Sequence, residues 1–186
     1  MVLPDEISAT LKLLEQAGIQ YALTGSLASA AWGRPRATND VDLVVDLRAA
    51  DIGKLLNVFP GPVWYLDPKT IADALRTGGE FNAIHGATGT KVNFCTKTSR
   101  PMDASRLSRR RRAAVGGTPC WVLSPEDTIL AKLAWLRQAP SERQQADIAG
   151  IVAVQGENLD IEYLRHWAHQ LGVRDALEEA LAGRWA

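Results

Sequence analysis

Several features that often identify a protein class are scarce in this chain of 186 residues. It has only two cysteines, Cys95 and Cys120, and three histidines, which excludes a disulfide-rich scaffold and a cysteine-rich zinc site. Lys+Arg and Asp+Glu both total 21, so no net charge attracts the chain to nucleic acid or membranes. No apolar run approaches the ~18 residues of a membrane span, and the acidic N-terminus is unlike a signal peptide. We therefore expect a cytoplasmic protein without a membrane partner.

The composition is that of an ordinary globular protein, with 46% hydrophobic and 23% charged residues. Helical and strand-like patterns alternate over residues 1–123. From Ser124 onward only helical patterns occur, in four amphipathic segments separated by Pro140, Gly156 and Gly172. The sequence thus predicts an α/β (α+β) domain over 1–123, a mixed β-sheet flanked by helices, and a helical region over 124–186 that packs on it.

Four local predictions bear on function. Residues 19–25 form a short strand that ends at glycine, and a helix follows with Ser26 as its N-cap. Residues 33–39 form a loop around Pro35. Residues 80–96 read as a β-hairpin with a Gly- and Thr-rich turn. The basic segment 99–115 is predicted to be a helix or a loop.

Residues 40–47, DVDLVVDL, alternate charged and aliphatic side chains with the period of a strand. Asp40 and Asp42 therefore share one face, because residues i and i+2 of a strand point the same way. Two such carboxylates repel each other unless a cation or a proton relieves them. An oxygen-rich, incomplete site of this kind suits Mg²⁺, with Mn²⁺ as the alternative.

The turn Thr24-Gly25-Ser26 joins the preceding strand to a helix. Glycine lets the backbone approach a phosphate, and the helix start offers free N–H groups. On its own, such a turn is most often only a helix start, and the D-x-D motif of Asp40 and Asp42 is most often a solvated strand end. Together, in this order, they make up the minimal apparatus for in-line transfer of a nucleotidyl group.

Residues 21–47, YALTGSLASAAWGRPRATNDVDLVVDL, resemble the G-S-x(n)-D-x-D signature of the nucleotidyltransferase (polymerase β-like) superfamily, here with thirteen residues between Ser26 and Asp40. Within it, the chain looks most similar to small bacterial AbiEii-type abortive-infection toxins. Residues 124–137 and 142–151 are similar to two later helices of that group.

The resemblance implies a nucleotidyltransferase-like mixed sheet and Mg²⁺-dependent transfer of a nucleoside monophosphate from a nucleoside triphosphate to a hydroxyl acceptor. The acceptor would be tRNA, as in the toxin relatives, or a small molecule such as an aminoglycoside or lincosamide. An antitoxin protein would be a further partner. Gly25 and Ser26 would hold the triphosphate, and Asp40 and Asp42 the metal.

The chain departs from the family at one position. Residues 91–95, KVNFC, occupy the place of the family's K-x-D, with Lys91 present but Asn93 in place of the acid. That acid is the candidate base for the attacking hydroxyl, and loss of a general base costs ~10²–10⁴ in rate. Another carboxylate could substitute in space: Glu80, Asp46 or Asp67.

Two hypotheses follow from Asn93. In the first, the protein is a nucleotidyltransferase, with Asp40, Asp42 and Asn93 at its catalytic centre and turnover impaired by the amide. In the second, it is catalytically inactive and binds nucleotide or a partner protein through the same fold. Cys95 lies two residues beyond Asn93 and so on the same face, but we expect it to be a small buried hydrophobe.

The remaining candidates are basic. Arg34 and Arg36 precede the D-x-D and would reach a triphosphate, unless they lie in a solvated loop. Lys132 would contact phosphate or acceptor, unless its helix is a surface helix. Asp147 would either pair with such a basic side chain or complete the active site. A basic run would bind tRNA phosphates, or else form a solvated face: Arg106, Arg109, Arg110, Arg111 and Arg112.

Overall fold

The computed structural model describes residues 3–36, 38 and 40–185. Within them a single sheet contains seven strands: β1 (Gln20–Leu23), β2 (Asp40–Asp46), β3 (Trp64–Tyr65), β4 (Glu80–His85), β5 (Lys91–Thr96), β6 (Arg111–Val115) and β7 (Thr118–Val122). The α-helices of the same residues are α1 (Asp5–Gln16), α2 (Gly25–Trp32), α3 (Ile52–Val58), α4 (Pro68–Thr77), α5 (Pro101–Ser108), α6 (Pro125–Gln138), α7 (Glu142–Gln155), α8 (Ile161–Leu171) and α9 (Arg174–Leu181).

The strands lie in the order β3-β4-β5-β2-β1-β7-β6. β2 is parallel to β5 and β1 is parallel to β7, whereas the other neighbours are antiparallel. The predicted mixed sheet flanked by helices is therefore confirmed. The hairpin predicted over 80–96 is present as β4 and β5.

One local prediction is wrong and another is right only in part. α2 begins at Gly25 with Thr24 at its cap, and no side chain caps it by a hydrogen bond, so Ser26 lies inside the first turn. The basic segment is α5 followed by the strand β6, which its arginines did not suggest. The predicted loop over 33–39 is non-helical where described, but Ala37 and Asn39 lie outside the described residues.

Each face of the sheet has its own apolar contacts. Odd-numbered side chains of β2, such as Val41 and Leu43, pack in the main core with α1, α3 and α4. On the opposite face Val44 packs with Leu107 of α5. Asp40 and Asp42 lie on this second face, at the start of β2, where the apolar contacts end.

The helices α6 to α9 have a core of their own, which includes Ile129, Ile148 and Leu164. α6 is buried on most sides and is therefore not the amphipathic surface helix that its sequence suggested. No helix in the described ranges is both long enough and apolar enough to cross a membrane.

The end of α2 anchors the helical region to the sheet. Trp32 Nε1 donates to the Leu123 carbonyl at 2.6 Å, and Gln155 Nε2 donates to the Trp32 carbonyl at 2.7 Å. Gly33 lies so close to α7 that a Cβ there would be 2.8 Å from the Ile151 nitrogen. This close approach packs α7 against the C-terminal end of α2.

A buried acidic pair secures β6 and α8 to the start of α6. Glu126 and Asp127 are fully buried, and Arg109 and Arg111 each approach Glu126 Oε2 at 3.6 Å. Arg109 also stacks on the Tyr163 ring, 3.9 Å from its centroid. These arginines therefore neutralise a buried carboxylate.

We expect Arg109→Ala to destabilise the protein by about 2 kcal/mol or more, because a buried carboxylate loses one of its two cations. Urea unfolding measures the change. Arg112→Ala is the control, because Arg112 pairs with Glu15 at the surface, where the two side chains are 44% and 35% exposed, respectively. Such an exposed pair contributes less than about 1 kcal/mol. Equal stability losses in the two variants would contradict a structural role for Arg109.

Candidate functional site

The D-x-D carboxylates lie at the start of β2, with Asp40 exposed and Asp42 half-buried. Asp42 lies opposite Asn93 in the parallel pairing of β2 with β5, and Asn93 Nδ2 donates to Asp42 Oδ1 at 3.0 Å. Burial raises the pKa of Asp42; Asn93 opposes the shift, while the charges of Asp40 and Glu80 add to it. The site therefore holds an excess of negative charge.

The turn from β1 into α2 lies directly against Asp42. Gly25 has a φ of +60°, and a Cβ at this position would overlap the Asp42 carboxylate. The Thr24 amide donates to the Asp42 carbonyl at 2.9 Å. Glycine is required here for two reasons, its left-handed backbone and the missing side chain. The free N–H groups of the first turn of α2 thus lie beside the two carboxylates.

Asp40 and Asp42 fit a divalent cation with oxygen ligands. Across the described ranges no three acidic, histidine or cysteine side chains form a metal cage. Mg²⁺ does not need one, because it keeps several waters and is held by one or two carboxylates plus substrate phosphates. A cation there would offset the burial and the neighbouring negative charges that raise the pKa of Asp42.

A cluster of two cations and one carboxylate contacts the first turn of α2 through Ser26. Arg36 donates to both oxygens of Asp147, from Nε at 2.9 Å and from Nη2 at 3.1 Å. Its Nη2 also donates to Ser26 Oγ in a short hydrogen bond. Lys132 Nζ donates to Asp147 Oδ2 at 2.8 Å and to Gln144 Oε1 at 2.6 Å. We call Arg36, Lys132 and Asp147 the basic cluster; its net charge is positive.

Lys132 is not on a surface helix, since only 4% of the residue is exposed. Burial lowers its pKa, while Asp147 and the more distant Asp42 raise it. Burial also acts to raise the pKa of Asp147, but Arg36 and Lys132 outweigh it, so that this pKa lies below its ordinary value. The influence of Lys132 on Asp42 places the basic cluster within electrostatic range of the carboxylates.

Two other predicted residues lie at the rim. Lys91 is exposed and in register with Asp40, and both line a groove of about 440 Å³ together with Leu27 and Thr90. Arg34 is exposed and packs near Gly150 of α7. The structure thus brings Gly25, Ser26, Arg36 and Lys132 together with the carboxylates, while Arg34 lies against Gly150 of α7.

Each arginine of the basic run has an internal partner. Arg106 pairs with Asp103 at 3.0 Å, and Arg110 donates to the Leu107 carbonyl and stacks over Trp121. The other partners are Glu126 for Arg109 and Arg111, and Glu15 for Arg112. The run is therefore neither a simple solvated face nor a set of unpaired charges.

Two features of the site escaped the sequence analysis. Gln144 holds Lys132, and it shares a face of α7 with Asp147, three residues away; that spacing could have indicated it. Cys95 is half-buried rather than a buried hydrophobe, and its thiol donates to Glu80 Oε1 at 3.3 Å. Glu80 and Cys95 belong to different strands, so no local pattern predicted their contact.

We expect Asp147→Asn to destabilise the protein by about 3 kcal/mol at neutral pH, because the buried Lys132 then lacks a counter-charge. The lowered pKa of Asp147 means that its contribution is complete at neutral pH and is lost as the pH falls through that pKa. Urea unfolding between pH 7 and pH 2 measures this: the free energy of unfolding should fall less steeply with decreasing pH in the variant than in the wild type.

The control for this measurement is Asp73→Asn, which removes an exposed pair with Arg76 at 3.4 Å. It should leave both the stability and its pH dependence unchanged. If Asp147→Asn behaved like this control, Asp147 would not be holding the basic cluster together.

No protein-family model and no curated protein matches this sequence. Solved structures do match. The solution structure of the antibiotic-resistance factor ANT(2'')-Ia has a TM-score of 0.57 at 15% identity, over 94% of both chains. The same protein in complex with adenylyl-2''-tobramycin matches with a TM-score of 0.53 at 16% identity, over 96% of this chain and 94% of the other.

Two further structures agree with these. The lincosamide antibiotic adenylyltransferase LnuA, lincomycin-bound, has a TM-score of 0.53 at 12% identity, over 82% of this chain and 98% of its own. An antigenic nucleotidyltransferase-like protein from Paracoccidioides brasiliensis has a TM-score of 0.54 at 19% identity, over 98% of this chain and 94% of its own. Identities this low establish the architecture alone. The chain has the fold of the nucleotidyltransferases.

Proposed function

We propose that this protein transfers a nucleoside monophosphate from a nucleoside triphosphate to a hydroxyl group of a small molecule, with a divalent metal as cofactor. The observation that carries the proposal is the contact of the Gly25 turn with Asp42. It sets the N-terminus of α2 beside two carboxylates on one sheet face. An anion site and a cation site that adjoin in this way match a metal-bound triphosphate.

In this proposal the triphosphate lies over the start of α2. The free N–H groups of its first turn and the Ser26 hydroxyl would bind phosphate oxygens. The net positive basic cluster neutralises part of the phosphate charge. Lys132 has two of its three N–H donors bound to Gln144 and Asp147, which leaves one for a phosphate oxygen.

Asp40 and Asp42 would hold the metal, with Mg²⁺ as the expected ion and Mn²⁺ as the alternative. When bound, such an ion stabilises the charge that develops on the transferred phosphoryl group. The groove beside Asp40 and Lys91 opens from this point and would receive the nucleoside or the acceptor.

Two observations favour a small acceptor over tRNA. The arginines that would contact RNA are paired within the protein, as described above. Two of the proteins with this fold were solved with adenylyl-2''-tobramycin and with lincomycin. The AbiEii-type toxin role, tRNA and an antitoxin partner stay predictions from the sequence resemblance.

The Asn93 amide favours a second candidate, a nucleotide-binding or partner-binding protein without catalysis. Its Nδ2 donates to Asp42 Oδ1, so Asn93 acts at this site as a hydrogen-bond donor. An amide also lacks the charge and basicity of the family's third carboxylate. In this candidate the site binds a metal-bound nucleotide but transfers nothing.

We expect Mg²⁺ together with one or more of ATP, CTP, GTP and UTP to raise the melting temperature of the wild type. At 100 times Kd the stabilisation is about 2.7 kcal/mol, which corresponds to roughly 5–11 °C for a chain of this size. Asp42→Asn should lose this shift. Without ligand, it should be at least as stable as the wild type, because burial and Asp40 disfavour the charged form of Asp42.

Differential scanning calorimetry with and without Mg²⁺ measures both effects, with Asp73→Asn as the control that keeps the shift. A shift that persists in Asp42→Asn would contradict the assigned metal site. Transfer of labelled nucleotide to tobramycin, lincomycin or bulk tRNA then identifies the acceptor.

We expect Asn93→Asp to destabilise the metal-free protein, because a third carboxylate replaces the amide 3.0 Å from Asp42. Mg²⁺ should restore the loss and stabilise this variant more than the wild type. Asn57→Asp, on the exposed side of α3, is the control. If the wild type binds nucleotide without transfer and Asn93→Asp transfers, the second candidate is correct.

A further inference from the structure

The absence of a carboxylate at position 93 raises the question of which group would accept the proton of the acceptor hydroxyl. Of the three substitutes that the sequence offers, two are occupied elsewhere. Asp46 pairs with Lys97 at 2.7 Å at the far end of β2. Asp67 caps α4 by accepting from the Lys69 amide at 3.0 Å. Glu80 lies at the start of β4, one same-face step along the sheet from the row that contains Asp42.

The strand register places Glu80 on the same sheet face as Asp42. Asp42 lies opposite Asn93, which in turn lies opposite Asn82 of β4. Glu80 is two residues before Asn82 and therefore points to the same side. It lies opposite Cys95, diagonal to Asn93, and diagonal neighbours in a sheet are about 7–8 Å apart, within reach of long side chains.

The Glu80 side chain extends across β5 toward β2. Its Oε1 accepts a hydrogen bond from the Cys95 thiol at 3.3 Å, which draws the carboxylate over the middle of the three strands. Burial, together with Glu80, raises the pKa of Cys95 to about 12, so the thiol stays a neutral donor. Glu80 is exposed, and its charge reaches Asp42.

The other acidic side chains around the site already have a partner or an assigned role. Asp40 and Asp42 would hold the metal, and Asp147 binds both Arg36 and Lys132. Asp103 on α5 accepts from Thr98 and pairs with Arg106. Within the described part of the chain, the partner found for the Glu80 carboxylate is the Cys95 thiol, which binds one of its two oxygens.

We propose that Glu80 is the proton acceptor for the acceptor hydroxyl, supplied by β4 in place of the carboxylate missing at Asn93 of β5. The hydroxyl oxygen forms a bond to the α-phosphorus of the nucleotide, and the bond from that phosphorus to the α–β bridging oxygen breaks. Pyrophosphate leaves with the electron pair. The hydroxyl proton passes to the free oxygen of Glu80. This assignment depends on the proposed function.

The test is Glu80→Gln, which keeps the shape and the hydrogen bond to Cys95 but removes the basicity. Steady-state transfer of α-³²P-labelled nucleotide to tobramycin, lincomycin and bulk tRNA gives kcat and KM, and calorimetry gives the shift with Mg²⁺ and nucleotide. Glu162→Gln, on the exposed side of α8, is the matched control.

We expect kcat of Glu80→Gln to fall by ~10²–10⁴, the ordinary contribution of a general base. The KM for nucleotide and the Mg²⁺-dependent melting shift should stay within about twofold of the wild type, because Glu80 does not hold the triphosphate. Glu162→Gln should match the wild type in every measurement. Asn93→Asp combined with Glu80→Gln should recover transfer, because it returns a carboxylate to the neighbouring strand.

The failures are distinguishable. No melting shift of the wild type with any Mg²⁺-nucleotide overturns the proposed function itself. Nucleotide binding with a kcat of Glu80→Gln close to that of the wild type overturns only the role of Glu80. Binding by a wild type that transfers to none of the acceptors overturns both the role of Glu80 and the proposed transfer, and favours the second candidate. A melting shift lost together with kcat would assign Glu80 to binding and also overturn the proposal.

Discussion

The interaction on which the site depends is the bridge from Asp147 to Arg36 and Lys132. It joins three parts of the chain: the segment after α2, the buried helix α6, and α7. Without the carboxylate, two cations would face each other and the charge of Lys132 would be buried alone, which costs several kcal/mol. Because Arg36 also donates to Ser26, the same bridge determines what surrounds the first turn of α2.

The sheet and the helical region contribute opposite charges to this place. β2 carries the two carboxylates, and α6 and α7 supply Lys132 and its partner. The two sets adjoin at the first turn of α2, where Gly25 lies against Asp42 and Ser26 accepts a hydrogen bond from Arg36. Burial and the neighbouring negative charges raise the pKa of Asp42, so the fold tolerates an unfavourable charge at this point, as is common at functional sites.

The arginine run illustrates how a charge pattern misleads. Four consecutive arginines suggest a solvated or RNA-binding surface, but β6 is an edge strand, where charged residues discourage pairing with other chains. Arg110 and Arg112 stack over Trp121 of the neighbouring strand, and Arg109 and Arg111 approach the buried Glu126. Apart from the Leu107 carbonyl of α5, the partners described above lie on β7, α1, α6 and α8, so no short window of sequence contains these interactions.

The sequence by itself determined the features that depend on near neighbours. The glycine turn before α2, the shared face of Asp40 and Asp42, and the hairpin of β4 and β5 all follow from local spacing and periodicity. Tertiary structure decided the rest. Asp147 meets Arg36, 111 positions away in the sequence. The sequence offered Glu80, Asp46 and Asp67 equally as substitute carboxylates, and only the folded structure distinguishes them. Burial of Lys132, the strand β6 and the true start of α2 at Gly25 likewise depend on packing, because each is stabilised by contacts with residues distant in the chain.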